Sequence, residues 1–459
     1  MKTSELPYNK NSVALFQHIA KEEWAVFLDS GYPMIDSGRY DIIAARPWKT
    51  LLTYGPDTII TVAGNSNRSQ ADPFSLIQQH LGAAQRNLAG IPFCGGAIGY
   101  FAYDLGRRIE ALPEQADNDI ATPDMAIGFY DWCVIVDHHR RRSWLYGVGQ
   151  ADSTFDSWGE LQAMFNSNVT AVTTPRPIAA VVEAENDKQH YAASFKRIKH
   201  YIRDGDCYQV NLAQRFSAPV SEDPWYIYQR LRQSNPAPFA GFMRLPDHAV
   251  LSSSPERFIS VTNRMVETRP IKGTIRRSNF AYEDKALAEQ LLESEKDRAE
   301  NLMIVDLLRN DIGKSCVTGS VNVPGLFALE SYASVHHLVS TVAGRLHDNK
   351  SPLDLLRGAF PGGSITGAPK LRAMQIIEEL EPWRRKVYCG CMGYIGLDGN
   401  MDSNIAIRTM LHHDGRIYYW SGGGIVADSD LDSEYQECFT KAAAMSRIFQ
   451  DSRIRHVGG

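Results

Sequence analysis

Lys272 lies in ETRPIKGTIRR, residues 267 to 277, between Pro270 and Gly273 and close to Arg269, Arg276 and Arg277. An amine in a turn crowded by cations gives up its proton more readily than a solvated one, and a neutral amine is a nucleophile. The plainer reading is a solvated turn lysine. Carboxylates offer a second kind of chemistry. In DRAENLMIVDLLRND, Glu300 is followed by Met303, Ile304 and Leu307 at three, four and seven residues. A helix would put that carboxylate on its apolar face, which is costly unless a cation or donor meets it. In DLDSEYQECFTKAAAMSRIF, Glu434 and Glu437 stand one turn apart on a helix with an apolar face of Tyr435, Cys438, Ala442, Met445 and Phe449. Two helices offering Glu300 and Glu437 match the way Mg²⁺ is held, by one or two carboxylates plus water and an anionic ligand. A salt-bridged or solvated helix face is the plainer alternative.

Two glycine-rich segments could receive an anion. AFPGGSITGAPKLRAMQIIEEL joins a Gly/Ser/Thr loop to a helix predicted to begin near Pro369, so free backbone N–H groups would face whatever enters the loop. Gly362, Gly367 and Lys370 do not have the spacing of a triphosphate-binding loop, and a carboxylate fits better. WSGGGIVADSD places Gly422, Gly423 and Gly424 after the strand RIYYW, where backbone could approach a ligand or simply turn. With Arg408 of NIAIRTM as a bidentate fork, these segments imply a pocket for a dicarboxylate.

The elements that must position these groups form a mixed α/β chain without internal repeats. WAVFLDSGY and YDIIAARP read as strands, PFCGGAIGYFAYDLGRR as a glycine-rich strand or turn, and MAIGFYDWCVIVDHH as one long buried strand. Residues 166 to 188 lose helical periodicity and gather Thr, Pro and Asn, as a linker would, and YAASFKRIKHYIRDG then reads as a helix stopping at Gly205. At 459 residues and 44% apolar, the chain can bury a large core and would ordinarily form two or three domains. A net charge of −5 without a basic face argues against nucleic acid, and HHRRR at 138 to 142 reads as a solvated turn between strands. No run of 18 apolar residues is present, which argues against a membrane span. Cys94, Cys133, Cys207, Cys316, Cys389, Cys391 and Cys438 lack zinc-like C-x-x-C spacing, and a reduced, cytoplasmic protein is expected. Cys389 and Cys391, two apart, are expected to pack on one strand face.

PIKGT, SPERF, DRAENLMIVDLLRNDIG, HHLVST, FPGGSITGAPK, GYIG, NIAIRT, GGGIVADSD and EYQE occur in the order found in chorismate-utilising enzymes, and residues 190 to 450 resemble that family. GGAIGYFAYDLGRR and PDMAIGFYDW extend the resemblance through the first 165 residues. It implies an α+β fold in which two β-sheets pack face to face with helices outside, as one intertwined unit. Residues 1–165 would form an N-terminal region, 166–188 a linker and 189–455 the chorismate-binding region.

The resemblance also implies roles. Glu300 and Glu437 would hold Mg²⁺, with Glu434 acting through water. Glu256 of SPERF would be the general acid, its bland alternative being a structural partner for Arg257. Arg408, Tyr394, Lys370 and the backbone of Gly422, Gly423 and Gly424 would hold the carboxylates of chorismate. Gln209, Thr274, His337, Thr366 and Gly367 would complete the pocket. Anthranilate synthases resemble PIAGT where this chain has PIKGT; the branch that aminates chorismate at C4 carries a lysine there that becomes covalently attached to the ring, and Lys272 holds that position. Isochorismate and salicylate synthases present a water-activating lysine where this chain has Gln209, so water attack is disfavoured.

The activity implied is chorismate plus ammonia giving 4-amino-4-deoxychorismate. Anthranilate formation is the competing activity, and a noncatalytic amino-acid or carboxylate sensor the competing class. Cys391 in CGCMG lacks the first glycine of a class I glutaminase elbow, so ammonia is expected from a separate glutamine amidotransferase subunit. Finally, SGY at 30 to 32, SGRY at 37 to 40 and PFA at 238 to 240 resemble a tryptophan pocket, although SGRY could equally be a plain loop. Ser30, Ser37, Gly38, Arg39, Tyr40, Pro238, Phe239 and Ala240 are its candidate residues.

Overall fold

A computed structural model of the chain describes residues 1–85, 90–167, 176–331, 335–451 and 453–456. Its strands form two sheets of 13 and 12 members. The first runs Lys2–Leu6, Arg142–Gly147, Trp132–Asp137, Tyr40–Ala44, Val26–Asp29, Phe239–Arg244, His248–Ser254, Thr409–His413, Arg416–Ile425, Gln209–Pro219, Val182–Ala184 and Ile454–His456, with Gly367–Ala368 added beside Gln209–Pro219. The second runs Ile271–Arg276, Val335–Arg345, Met265–Thr268, Arg257–Thr262, Met401–Ile405, Cys391–Gly396, Gly96–Phe101, Met125–Tyr130, Lys49–Tyr54, Asp57–Val62 and Asn65–Ser69, with Asn322–Ser331 also on Val335–Arg345. Each sheet therefore takes strands from both the first 165 residues and the region after 189.

Strand alternation explains how the sheets stack. Val26, Ile42, Ile135 and Val250 share one hydrophobic cluster with Ile98, Met125, Ile259 and Met392 of the second sheet. Their neighbours Phe27, Ile43, Val134 and Leu251 point the other way, into a cluster with helical Phe16, Leu161, Trp225 and Met445. The first sheet is thus covered on both faces, by the second sheet and by helices.

MAIGFYDWCVIVDHH is two strands rather than one. Met125–Tyr130 lies in the second sheet and Trp132–Asp137 in the first, with Asp131 at the crossing. The Asp131 carboxylate accepts from the Gln150 and Ala151 backbone N–H groups at 2.8 and 3.0 Å, which anchors the crossing. An uninterrupted apolar run cannot separate one doubly covered strand from two that pass between stacked sheets. HHRRR is the expected turn at its outer end, but His138 is buried. Of the linker, residues 168–175 lie outside the described residues, while Val182–Ala184 is a strand of the first sheet. The helix after it, Lys188–Arg203, stops just before Gly205, whose φ is +83°. Cys389 and Cys391 do not share a strand face: Cys389, with φ +63°, precedes the strand that Cys391 begins. All seven cysteines are free, and no helix among the described residues is long and apolar enough to cross a membrane.

Candidate functional site

Lys272 belongs to strand Ile271–Arg276, not to a free turn. Pairing with Val335–Arg345 slips between Lys272 and Thr274, where Gly273 takes φ +78°. Such a bulge re-aims the neighbouring side chains. The Lys272 amine donates to the Ser364 carbonyl at 3.2 Å. Burial drives it toward its uncharged form, opposed by Glu300 and Glu256 and reinforced by Lys441. The arginines do not supply this effect. Arg269 is paired with Glu330, Arg276 with Glu283 at 2.7 Å and Arg277 with Asp284 at 2.7 Å, so their charges are neutralised by other partners.

Glu256 sits in the bend between His248–Ser254 and Arg257–Thr262 and is 5% exposed. Burial pushes its carboxyl up to about 7, against the pull of Lys272 and a hydrogen bond from Ser364. That bond, from the Ser364 hydroxyl to Glu256 Oε1, is 3.1 Å long. Arg257 is not its partner: that guanidinium pairs with Glu267 at 2.8 Å and Asp402 at 3.0 Å. An acid that keeps its proton near neutrality thus stands beside an amine inclined to lose one.

The metal candidates come from two capped helices. Glu295–Gly313 starts at Ser294, whose side chain accepts from the Asp297 N–H, and Leu431–Ser446 starts at Asp430, which accepts from the Ser433 N–H. Burial raises the Glu300 carboxyl, with Lys272 and Lys296 opposing. Burial likewise raises Glu434, which accepts from the Ser429 hydroxyl at 2.7 Å and is raised further by Glu437. For Glu437 the upward push of burial is outweighed by Lys441, whose amine is 2.7 Å away. A Cβ added at Gly423 would lie 2.9 Å from Glu434 Oε2 and 3.9 Å from the Glu437 carboxyl, so the glycine keeps the space before both carboxylates open. Among the described residues no three His, Cys, Asp or Glu side chains converge closely enough to hold a metal ion unaided. Glu434 and Glu437 beside Gly423, with Glu300 close enough to feel the Glu434 charge, suit a hard cation that completes its shell with water and an anionic ligand.

On the anion side, Arg408 is shielded enough that burial lowers its pKa. Its hydrogen bond to Asn235 Oδ1 is a long 3.5 Å, and no salt bridge pairs it with a carboxylate among the described residues. A shielded guanidinium so placed calls for an anion. Gln209 is fully buried, yet neither end of its amide has a hydrogen-bond partner among the described residues. A Cβ at Gly424 would lie 2.3 Å from Gln209 Nε2, and one at Gly422 would lie 2.4 Å from the Leu212 carbonyl. His337 is held by the Thr274 hydroxyl at 2.8 Å, and burial pushes it down to about 4, leaving it neutral. Gly367 has φ +145°, and a Cβ there would lie 2.1 Å from the Gln209 carbonyl. The Thr366 hydroxyl donates to the Gly362 carbonyl at 3.1 Å, closing the loop that leads to helix Lys370–Leu380.

Two expected carboxylate holders are engaged otherwise. The Lys370 amine is 2.7 Å from Asp311 Oδ2 and 2.6 Å from the Ala359 carbonyl, because a buried aspartate needs a cation. Tyr394 lines a different cavity, of about 350 Å³, into which Ser30, Ser37, Gly38, Arg39, Tyr40, Pro238, Phe239 and Ala240 all face. Sequence reasoning missed Ser364 and Lys441. Lys441 could have been found four residues after Glu437 on the same helix, whereas no spacing rule connects Ser364 with Glu256.

Residues 26–447 match the family described as chorismate binding enzyme. Aminodeoxychorismate synthase component 1 of Klebsiella aerogenes is 48% identical over 431 residues, 93% of this chain and 94% of that protein. Anthranilate synthase component 1 of Acetivibrio thermocellus is 35% identical over 458 residues, 96% of this chain and 93% of its own length. The crystal structure of anthranilate synthase component I from Streptococcus pneumoniae TIGR4 superposes with a TM-score of 0.81 at 33% identity, covering 89% of this chain and 92% of that one.

Proposed function

The chain belongs to the chorismate binding enzymes, and from that premise we propose that it aminates chorismate to 4-amino-4-deoxychorismate, as component 1 of a two-subunit synthase. The observation that carries this reading is that the Lys272 amine and the Glu256 carboxyl meet at one residue, Ser364, at 3.2 and 3.1 Å, so a candidate nucleophile and a candidate acid stand side by side. The relatives with higher identity bear the aminodeoxychorismate synthase name, and the anthranilate synthase relative is more distant.

In this mechanism the Lys272 nitrogen bonds to ring carbon C2 as the C4–O bond breaks. Glu256 supplies the proton that lets the C4 hydroxyl depart as water. Ammonia then bonds to C4 and the C2–N bond breaks, returning the lysine. Two displacements put the new nitrogen where the hydroxyl was. Arg408 binds a chorismate carboxylate, with the backbone of Gly422 to Gly424 framing the pocket. Mg²⁺, held by Glu300 and Glu437 with Glu434 behind them, would offset the negative charge of the ring carboxylate. Gln209, unable to act as a base, leaves water unactivated.

A component 1 implies a second subunit, read here as a glutaminase that releases ammonia from glutamine. The 350 Å³ cavity is read as a site for L-tryptophan. Incubation with chorismate, Mg²⁺ and ammonium, followed by separation of para- and ortho-substituted products, tests the activity. The para product is expected; anthranilate, or unconsumed chorismate, would overturn the reading.

A further inference from the structure

One residue hydrogen-bonds to both proposed catalytic groups. Ser364, 6% exposed, accepts from the Lys272 amine with its carbonyl at 3.2 Å and donates from its hydroxyl to Glu256 Oε1 at 3.1 Å. We propose that Ser364 is a positioning residue that orients the acid and the amine together. Its hydroxyl donates to Oε1 of Glu256, whose carboxyl also accepts from the Ile271 backbone N–H beside Lys272, so the acid is held from two sides. The Ser364 carbonyl engages one N–H of Lys272, so the nitrogen lone pair points elsewhere. This inference rests on the proposed function for its chemistry, but on hydrogen-bond geometry for its existence.

The loop is built to hold such a residue still. Ser364 lies in the single turn Gly363–Ile365. Arg385 donates to the Ile365 carbonyl at 3.1 Å and is itself paired with Glu381 at 2.6 Å. On the other side a Cβ at Gly363 would lie 2.3 Å from Leu307 Cδ2, on the helix that carries Glu300. The turn is therefore seated directly against the helix of a metal candidate and has little room to shift.

Replacing the hydroxyl separates its two contacts, because Ser364→Ala keeps the carbonyl that Lys272 uses. The charges facing Glu256 are Lys272 and Lys441, and neither is altered by the change. A hydroxyl donor favours the ionised carboxyl, so its loss moves Glu256 further upward. In the ammonium-dependent assay Ser364→Ala is expected to lower kcat about 10- to 100-fold, with KM within about twofold. The high-pH limb of kcat should move to higher pH, and Ser364→Thr should restore both rate and limb. An infrared titration of the free protein, with the carboxyl band assigned through Glu256→Gln, reads the same shift without substrate. That measurement judges Ser364 even if the parent makes no aminodeoxychorismate. An unchanged titration in Ser364→Ala, or Ser364→Thr as impaired as Ser364→Ala, would overturn the proposal. Should the alanine variant not fold, Ser364→Cys keeps the volume with a weak donor, and the same shift is required of it.

Discussion

Burial acts on Glu256 in two ways that can be measured separately. Its carboxyl is held up to about 7 in the folded protein, against an ordinary value of 4.5. The proposed role as general acid requires it protonated, so kcat should fall as pH rises through about 7. For stability, the folded chain holds a proton that the unfolded chain releases. The resulting contribution is complete below the unfolded value and is lost as pH rises through the folded one. Glu256→Gln should therefore gain on the parent at high pH, by on the order of 3 kcal/mol, while losing most of its activity. Urea unfolding at about pH 5 and about pH 8.5 checks this, and an equal difference at both would contradict it. At this scale the sequence singled out Lys272 and Glu256, which the fold brings to a shared partner in Ser364, but mistook what perturbs the amine. Arg269, Arg276 and Arg277 stand beside it in the chain, yet Glu330, Glu283 and Asp284 neutralise them, and such pairings depend on how strand and helix fold together.

Among elements, the helices carrying Glu300 and Glu437 were legible because apolar spacing marks an inward face, and both receive a side-chain N-cap. The passage of Met125–Tyr130 into Trp132–Asp137 through Asp131 was hidden, since both strands are apolar throughout. The glycine strand gives a direct test. Gly423→Ala would press a methyl group toward Glu434 and Glu437, so half-saturation should need more Mg²⁺ while the melting temperature stays near the parent's. Calorimetric Mg²⁺ titration of the protein, read beside thermal melts, checks it; an unchanged Mg²⁺ dependence would count against those carboxylates. Lys370 separates structure from binding. Lys370→Met leaves Asp311 with Lys314 at 3.2 Å as its remaining cation, so it should lower stability by about 3 kcal/mol without raising the KM for chorismate. A raised KM at unchanged stability would return Lys370 to the pocket.

Across the whole molecule, the two sheets explain how distant segments build common sites. Ser30, residues 37 to 40 and residues 238 to 240 meet because Val26–Asp29 pairs with Phe239–Arg244, and together they line the 350 Å³ cavity. That convergence followed the family resemblance; local periodicity carries no sign of it. Added L-tryptophan should raise the melting temperature of the parent, while Ser37→Trp, which introduces a bulky ring at the cavity rim, should abolish the shift. Equal shifts in both proteins would place the ligand elsewhere.

The claim on which the account turns is that the Lys272 nitrogen bonds to the chorismate ring. Intact-protein and peptide mass spectrometry after incubation with chorismate and Mg²⁺, without ammonium, tests it most directly. The peptide bearing Lys272 should gain a mass equal to chorismate less one water, and Lys272→Ala should show no such gain. An unmodified Lys272 in protein that turns over normally once ammonium is added, or undiminished turnover by Lys272→Ala, would contradict it.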